Sequence, residues 1–172
     1  MAPIFRRAAA FAALAGLSVV LAGCALERSA SLYPRKGDSK PHPGVALAHS
    51  FPIHGIDISK YQGDVDWAAV RDAGTKFVYI KGTEGGDHLD EKFHANWAGA
   101  KAAGVPYGFY HFMYWCRPAH EQMEWIRQSI PVDRNALPPV LDLEWNSHSR
   151  TCPIRLSAEA ARAKIDLLMT EM

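Results

Sequence analysis

Two carboxylates separated by one residue, Asp142 and Glu144, are the clearest candidates for chemistry in this sequence. They lie in the stretch PPVLDLEW at 138–145, whose alternation of apolar and polar residues predicts a β-strand. Because alternate residues of a strand share a face, Val140, Asp142 and Glu144 should point the same way. Buried unpaired charge is costly, so the pair is either solvated at a strand end or placed for acid–base work.

Glycoside cleavage is the reaction that such a pair would serve, because it needs one carboxyl group as an acid and a second that stays ionised. A third candidate, Asp57, lies in a similar alternating stretch, GIDIS at 55–59. All three acids fall near the C-terminal ends of predicted strands, where parallel barrels carry their catalytic side chains. If the three converge, their mutual repulsion should raise the pKa of at least one of them.

The periodicity of the chain from residue 51 predicts four strand–helix repeats. Strands are predicted to start near residues 55, 77, 106 and 139, with helices over 67–73, 89–103, 118–130 and after Ser157. This alternation favours a parallel α/β sheet, either a (β/α) barrel or an open doubly wound sheet. In the third strand the inward-facing set is either Tyr107, Phe109 and His111 or Gly108, Tyr110 and Phe112.

The first 50 residues are predicted to lie outside this domain. Residues 1–23 carry two arginines near their start, Arg6 and Arg7, followed by an apolar run over 8–23 that is shorter than the ~20 residues of a spanning helix. That pattern is typical of a secretory signal peptide. Residues 24–50 show no hydrophobic period and many Pro, Gly and Ser residues, which predicts a flexible tether or an arm lying on the domain. The folded domain is therefore assigned to 51–172.

Composition excludes several other functions. The chain has 172 residues, 48% of them apolar and 22% charged, as in a globular protein. A net charge of +1 gives no electrostatic basis for binding nucleic acid. The eight histidines show no paired zinc-binding spacing, and no glycine-rich phosphate loop or nucleophile elbow is present. We therefore expect neither a metal nor a cofactor.

Several motifs occur in order along the predicted domain: GIDIS at 55–59, QGDVDW at 62–67, FVYIK at 77–81, TEG at 83–85, GFYHF at 108–112 and LDLE at 141–144. Together they resemble glycoside hydrolase family 25, the lysozymes of the muramidase type. The resemblance implies a parallel (β/α) barrel that cleaves the β-1,4 bond between N-acetylmuramic acid and N-acetylglucosamine in peptidoglycan glycan strands. It maps the family's general acid onto Glu144, its second carboxylate onto Asp142 and a third acid onto Asp57.

The roles of the acids follow from that resemblance. Glu144 is expected to have a raised pKa and to protonate the leaving oxygen, whereas Asp142 is expected to stay charged. Asp142 then either attacks the sugar or, as the resemblance favours, positions the N-acetyl group of the substrate. Lys81, Tyr110 and Trp145 are the predicted substrate contacts, although aromatic side chains at these positions are equally typical of a core.

The three cysteines are assigned separately. LAGC at 21–24 resembles the lipobox of bacterial lipoproteins, which implies a lipid on Cys24 and a protein exported to the envelope, periplasmic or on the cell surface. Cys116 and Cys152 follow the third and fourth strands, and loops that follow adjacent parallel strands can meet within disulfide range. We expect a disulfide because export leads to an oxidising compartment. Two free thiols are the alternative.

The length of the domain bears on activity. Residues 55–172 hold about four βα units, roughly half of the ~250 residues of a full barrel. We therefore expect an incomplete barrel, and we expect the complete protein to be a monomer. A polypeptide of residues 25–172 should be poorly soluble and nearly inactive, because its sheet edges and an inner face are open. A stable open sheet is the alternative. The alternative function is that of a catalytically silent peptidoglycan-binding remnant, although binding alone does not need three acids.

Overall fold

The computed structural model describes Leu47 and residues 50–172. The predicted signal peptide and Cys24 lie outside the described residues, as does nearly all of the predicted tether. Within the described part of the chain, no helix combines the length and the apolar character that crossing a bilayer requires.

A mostly parallel sheet organises the domain. In space the strands follow the order β1, β2, β4, β5, and each of these neighbouring pairs is parallel. A two-residue strand, β3, pairs with β2 in the antiparallel sense. The strands are β1 (Gly55–Ile58), β2 (Phe77–Glu84), β3 (His88–Leu89), β4 (Tyr107–Phe112) and β5 (Val140–Asp142).

Four helices alternate with the parallel strands: α1 (Trp67–Asp72), α2 (Phe93–Ala103), α3 (Ala119–Ser129) and α4 (Ala158–Glu171). The side chains of Asp66 and Ser157 cap α1 and α4 by accepting hydrogen bonds from backbone N–H groups of their first turns. Gly104, at φ 71°, ends α2 in the left-handed conformation. The alternation confirms the predicted parallel α/β class.

The predicted start of the second helix at residue 89 is wrong. His88 and Leu89 pair with the end of β2, and α2 begins only at Phe93. Asp90 holds this extended segment in place: its backbone N–H donates to the carbonyl of Gly82, and its carboxylate accepts from the backbone N–H of Lys60. These contacts are distant in sequence, so helix periodicity gives no sign of them.

The core lies between the sheet and helices α2 and α3, and this settles the facing of β4. Tyr107 packs edge-on against Trp97 of α2, with ring centroids 4.7 Å apart, and His111 contacts Gln122 of α3. Tyr107, Phe109 and His111 therefore face the helices. The intervening residues, including Tyr110 and Phe112, face the opposite side of the sheet, which is the side of Asp57 and Asp142.

The predicted strand over 138–145 is shorter than expected. β5 ends at Asp142, whose carbonyl accepts the last bond to the β4 side, from Met113 N–H. Glu144 lies beyond the ladder, and Leu143 and Trp145 are 42% and 41% exposed. Among the described residues β5 pairs only with β4, and this ladder ends at Asp142. The poor solubility expected of residues 25–172 stays a prediction.

Candidate active site

A cleft of about 360 Å³ opens on the face of the sheet opposite the helices, and the structure brings all three predicted acids together in it. Asp57 comes from β1, Asp142 from the end of β5, and Glu144 from the loop that follows. The complete lining is Asp57, Tyr79, Tyr110, Val140, Leu141, Asp142 and Glu144. The convergence follows from parallel strands ending at one edge.

The acids differ in their surroundings. Asp142 is half-buried, whereas Asp57 and Glu144 are exposed. Burial is the largest influence on Asp142 and raises its pKa, and the negative charge of Glu144 raises it further. The positive charge of Lys81 opposes this rise, and Asp57 adds a smaller contribution to it. Asp142, which the resemblance assigns as the permanently charged partner, is therefore a more basic carboxylate than an ordinary aspartate.

Two tyrosines, Tyr79 and Tyr110, line the cleft together with the acids. Burial, followed by the charges of Asp57 and Asp142, raises the pKa of Tyr110, so its hydroxyl stays protonated and can donate. Tyr79 donates a hydrogen bond of 3.1 Å from its hydroxyl to the carbonyl of Pro138. Its ring lies against Gly108, where an added Cβ would approach within 2.7 Å of the ring. The alternation in FVYIK at 77–81 puts Tyr79 on the same strand face as Lys81, but no motif assigns Tyr79 a role.

Glu144 is held from the loop after β4. The indole N–H of Trp115 donates to the backbone carbonyl of Glu144 at 2.6 Å. Trp145, the next residue, stacks on Trp115 with centroids 4.4 Å apart, and the guanidinium of Arg155 lies 5.4 Å from the Trp145 ring. Trp145 does not line the cleft, and its predicted contact with substrate stays a prediction.

A disulfide joins Cys116 and Cys152, whose Cα atoms are 5.5 Å apart. It links the loop after β4 to the long loop after β5, the loop that carries Glu144. The backbone N–H of Cys116 also contacts the sulfur of Cys152 at 3.0 Å, and Ser149 accepts a hydrogen bond from the N–H of Cys152. The position of Glu144 therefore depends on a cross-linked pair of loops.

Lys81 lies beside the cleft rather than in its lining. Its ammonium is 2.6 Å from Glu84, and the two side chains are only 13% and 19% exposed. Its predicted contact with substrate stays a prediction. The sequence pattern indicates no role for Glu84, although this residue stands in the TEG motif. Within residues 50–172 and Leu47, no group of three or more His, Cys, Asp or Glu side chains is arranged to hold a metal ion.

Comparisons with known proteins agree with this geometry. Residues 56–172 match the family described as Glycosyl hydrolases family 25. Lysozyme M1 of Streptomyces globisporus is 38% identical over 120 residues, which cover 63% of this chain and 38% of that protein.

Solved structures show the same likeness. A family 25 glycosyl hydrolase from Bacillus anthracis superimposes with a TM-score of 0.64 and 30% identity, over 70% of this chain and 55% of that one. A bacterial lysozyme from Streptomyces coelicolor gives a TM-score of 0.62 and 33% identity, over 71% and 58%. The chain thus spans less than two thirds of these relatives, and the match confirms an incomplete barrel of this type.

Proposed function

Because the chain belongs to glycosyl hydrolase family 25, we propose that it is part of a lysozyme that cleaves the β-1,4 bond between N-acetylmuramic acid and N-acetylglucosamine in peptidoglycan. The observation that carries the proposal is the convergence of Asp57, Asp142 and Glu144 in one cleft. Two of the similar proteins, from Streptomyces globisporus and Streptomyces coelicolor, are described as lysozymes. Peptidoglycan glycan strands are the proposed partner.

Glu144 is the proposed general acid. Its side chain is exposed at the cleft, so it can reach the oxygen of a bound glycosidic bond. It donates a proton to that oxygen as the bond to C1 breaks. The resulting carboxylate then accepts a proton from the water that completes hydrolysis.

Asp142 is the proposed partner of the substrate's N-acetyl group. A carboxylate made more basic by burial and by Glu144 is suited to accept a hydrogen bond from the acetamido N–H. This contact would orient the acetamido oxygen for attack on C1 and offset the positive charge that develops. Direct attack by Asp142 is the other route, and it would need the carboxylate oxygen to reach C1 itself.

The location of the protein is proposed from the sequence alone. A lipid on Cys24 would attach the domain to the envelope membrane, with residues 24–50 as the tether. Cys24→Ser should abolish incorporation of labelled fatty acid and release the protein from the membrane fraction. A variant still found in that fraction would argue against the anchor.

Loss of turbidity of purified peptidoglycan tests the proposed activity. In the intact natural protein, Glu144→Gln should slow lysis by ~10²-fold or more, because an amide is too weak an acid to protonate the leaving oxygen. Glu124→Gln is the matched control, since Glu124 is an exposed residue of α3 whose carboxylate accepts a hydrogen bond from the side chain of Gln128. Equal lysis by both variants would remove Glu144 from the role. Sedimentation of the wild-type protein with peptidoglycan without any lysis would favour the binding-only alternative.

A further inference from the structure

A bulge in β2 places Lys81 and Glu84 on the same face of the sheet. Lys81 pairs with Tyr110 of β4, but the register then shifts, so that Thr83 pairs with His111 and Glu84 with Phe112. Regular alternation would put Lys81 and Thr83 on one face and Glu84 on the other. Instead Thr83 is buried on the helix side, 2.8 Å from His111.

Glycine at position 82 fits the bulge because side chains of the core pack directly against the backbone there. An added Cβ would be 2.7 Å from the terminal carbon of Ile130 and 3.2 Å from the ring of Phe109. Gly82 also accepts the hydrogen bond from Asp90 that holds β3 beside β2. The irregularity is therefore built into the packing around it.

The bulge gathers a compact cluster at the C-terminal end of β2. The carboxylate of Glu84 accepts from Lys81 at 2.6 Å and from the hydroxyl of Tyr114 at 2.5 Å, one bond on each oxygen. The Lys81 ammonium also lies 4.8 Å from the ring centroid of Phe112. Tyr114 packs edge-on against the Phe112 ring. The Lys81 ammonium is therefore held by the Glu84 carboxylate on one side and by the Phe112 ring on the other.

The charge state of the cluster follows from these contacts. Burial alone would raise the pKa of Glu84, but the hydrogen bonds from Lys81 and Tyr114 outweigh it and lower the pKa. Glu84 is thus an ionised carboxylate and Lys81 its counter-charge. Burial and the bond to Glu84 raise the pKa of Tyr114 to about 12, so its hydroxyl remains a donor.

The cluster adjoins Asp142 through the sheet register. Glu84, Phe112 and Asp142 are partners across β2, β4 and β5, and the Lys81 ammonium lies over the middle residue of that row. The positive charge of Lys81 lowers the pKa of Asp142, against the larger effects of burial and of Glu144. The other titratable groups that line the cleft with Asp142 are Asp57, Tyr79, Tyr110 and Glu144.

We propose that Lys81, Glu84 and Tyr114 form a positioning cluster, in which Glu84 and Tyr114 hold the Lys81 ammonium beside Asp142 to offset the negative charges of Asp57 and Glu144. Lys81 then acts through Asp142 and not by touching the sugar. The catalytic meaning of the cluster rests on the proposed lysozyme function, but its electrostatic effect on Asp142 does not.

The two charged members should act on Asp142 with opposite signs. Lys81→Met leaves the Glu84 carboxylate without its counter-charge, so the pKa of Asp142 should rise. Glu84→Gln leaves the ammonium of Lys81 uncompensated, so the pKa of Asp142 should fall. The shift should be about 1 unit for Lys81→Met. It should be smaller for Glu84→Gln, because Glu84 lies two strands, about 10 Å, from Asp142. If the cluster had only a structural role, the pKa of Asp142 would shift in the same direction in both variants or would not shift in either.

Carbon-13 NMR titration of the Asp142 carboxyl group in the intact natural protein measures these shifts directly. Lys92→Met and Asp64→Asn are matched controls, because that exposed pair has the same 2.6 Å separation and lies outside the cleft lining. The controls should leave the Asp142 titration unchanged, and Lys81→Arg should preserve it by keeping the charge. If one of Lys81→Met and Glu84→Gln does not fold, the other still tests the proposal, because each predicts its own direction for the pKa shift of Asp142.

Shifts of the same sign, or none, in folded variants would overturn the proposal. So would a Lys81→Met variant that raises KM while the Asp142 titration stays unchanged, because Lys81 would then be a substrate contact. The titration needs no turnover, so a wild-type protein without lysis would count against the proposed function alone. Where lysis occurs, the acidic limb of the pH dependence of kcat/KM should move in the same direction as the pKa of Asp142.

Discussion

The indole N–H of Trp115 donates a 2.6 Å hydrogen bond to the backbone carbonyl of Glu144. Trp115 is buried, and it belongs to the loop after β4, whereas Glu144 lies two residues beyond the end of β5. Because Glu144 is outside the strand ladder, this bond and the nearby disulfide fix its backbone in place of strand pairing. The proposed acid thus depends on a contact between loops.

Trp115→Phe tests that dependence. The substitution keeps an aromatic ring to stack on Trp145 but removes the N–H donor, so Glu144 should lose its fixed position. Lysis should slow by ~10- to ~100-fold, since small misplacements of catalytic groups cost that much. The control is Trp125→Phe, because Trp125 donates a similar bond of 2.9 Å to the carbonyl of His88, away from the cleft. Equal activities of the two variants would contradict the positioning role.

The disulfide should contribute measurably to stability. Cys116 and Cys152 are 36 residues apart in sequence, and closing a loop of that size restricts the unfolded chain. Reduction, or replacement of both residues by serine, should lower the free energy of unfolding by about 3–4 kcal/mol. Guanidinium unfolding with and without reductant measures the difference. A reductant that leaves the unfolding midpoint unchanged would show that the bridge is absent or adds nothing.

The fold itself was predictable to the extent that the pattern was local. The strand–helix alternation and the inward facing of Asp57 and Asp142 follow from period-two strands and capped helices. The end of β5 does not follow from the local pattern, because it depends on pairing with β4, which is distant in sequence. The sequence therefore overestimates that strand and places Glu144 in a ladder that stops at Asp142.

The strand pattern alone does not predict that Glu84 shares a face of the sheet with Lys81. Strict alternation along β2 assigns Glu84 to the face opposite Lys81, and only the bulge at Gly82 returns it to the same side. A glycine inside a strand is the one local hint of such a bulge. Trp115 gives no hint at all, since its bond to Glu144 joins residues 29 positions apart in different loops.

His111 should make folding sensitive to acid. It is completely buried, with Nδ1 beside Thr83 Oγ1 at 2.8 Å and Nε2 beside Gln122 Oε1 at 3.1 Å. The amide nitrogen of Gln122 donates to the carbonyls of Tyr114 and Arg117, so its oxygen accepts and Nε2 of His111 carries the proton. Burial lowers the pKa of His111, and the ring is neutral in the folded protein.

The free energy of unfolding should therefore decrease as the pH falls. Since the folded pKa lies below the usual 6.5, the unfolded state binds the proton first as pH falls. The stability due to neutral His111 is complete above about pH 6.5 and declines below it, by up to about 1.4 kcal/mol per pH unit. Urea unfolding of wild type and His111→Asn between about pH 8 and about pH 5 measures this. An equally steep decline in His111→Asn would assign the acid sensitivity to other groups.

The sugar at the newly formed reducing ends of digested peptidoglycan tests the central claim most directly. Purified peptidoglycan is incubated with the intact natural protein, the products are reduced with borohydride, and the terminal sugar alcohol is identified by mass spectrometry. Cleavage by Glu144-assisted protonation of the proposed bond predicts N-acetylmuramic acid at every new reducing end, and almost none from Glu144→Gln. N-acetylglucosamine at those ends, or undiminished release by Glu144→Gln, would contradict the account.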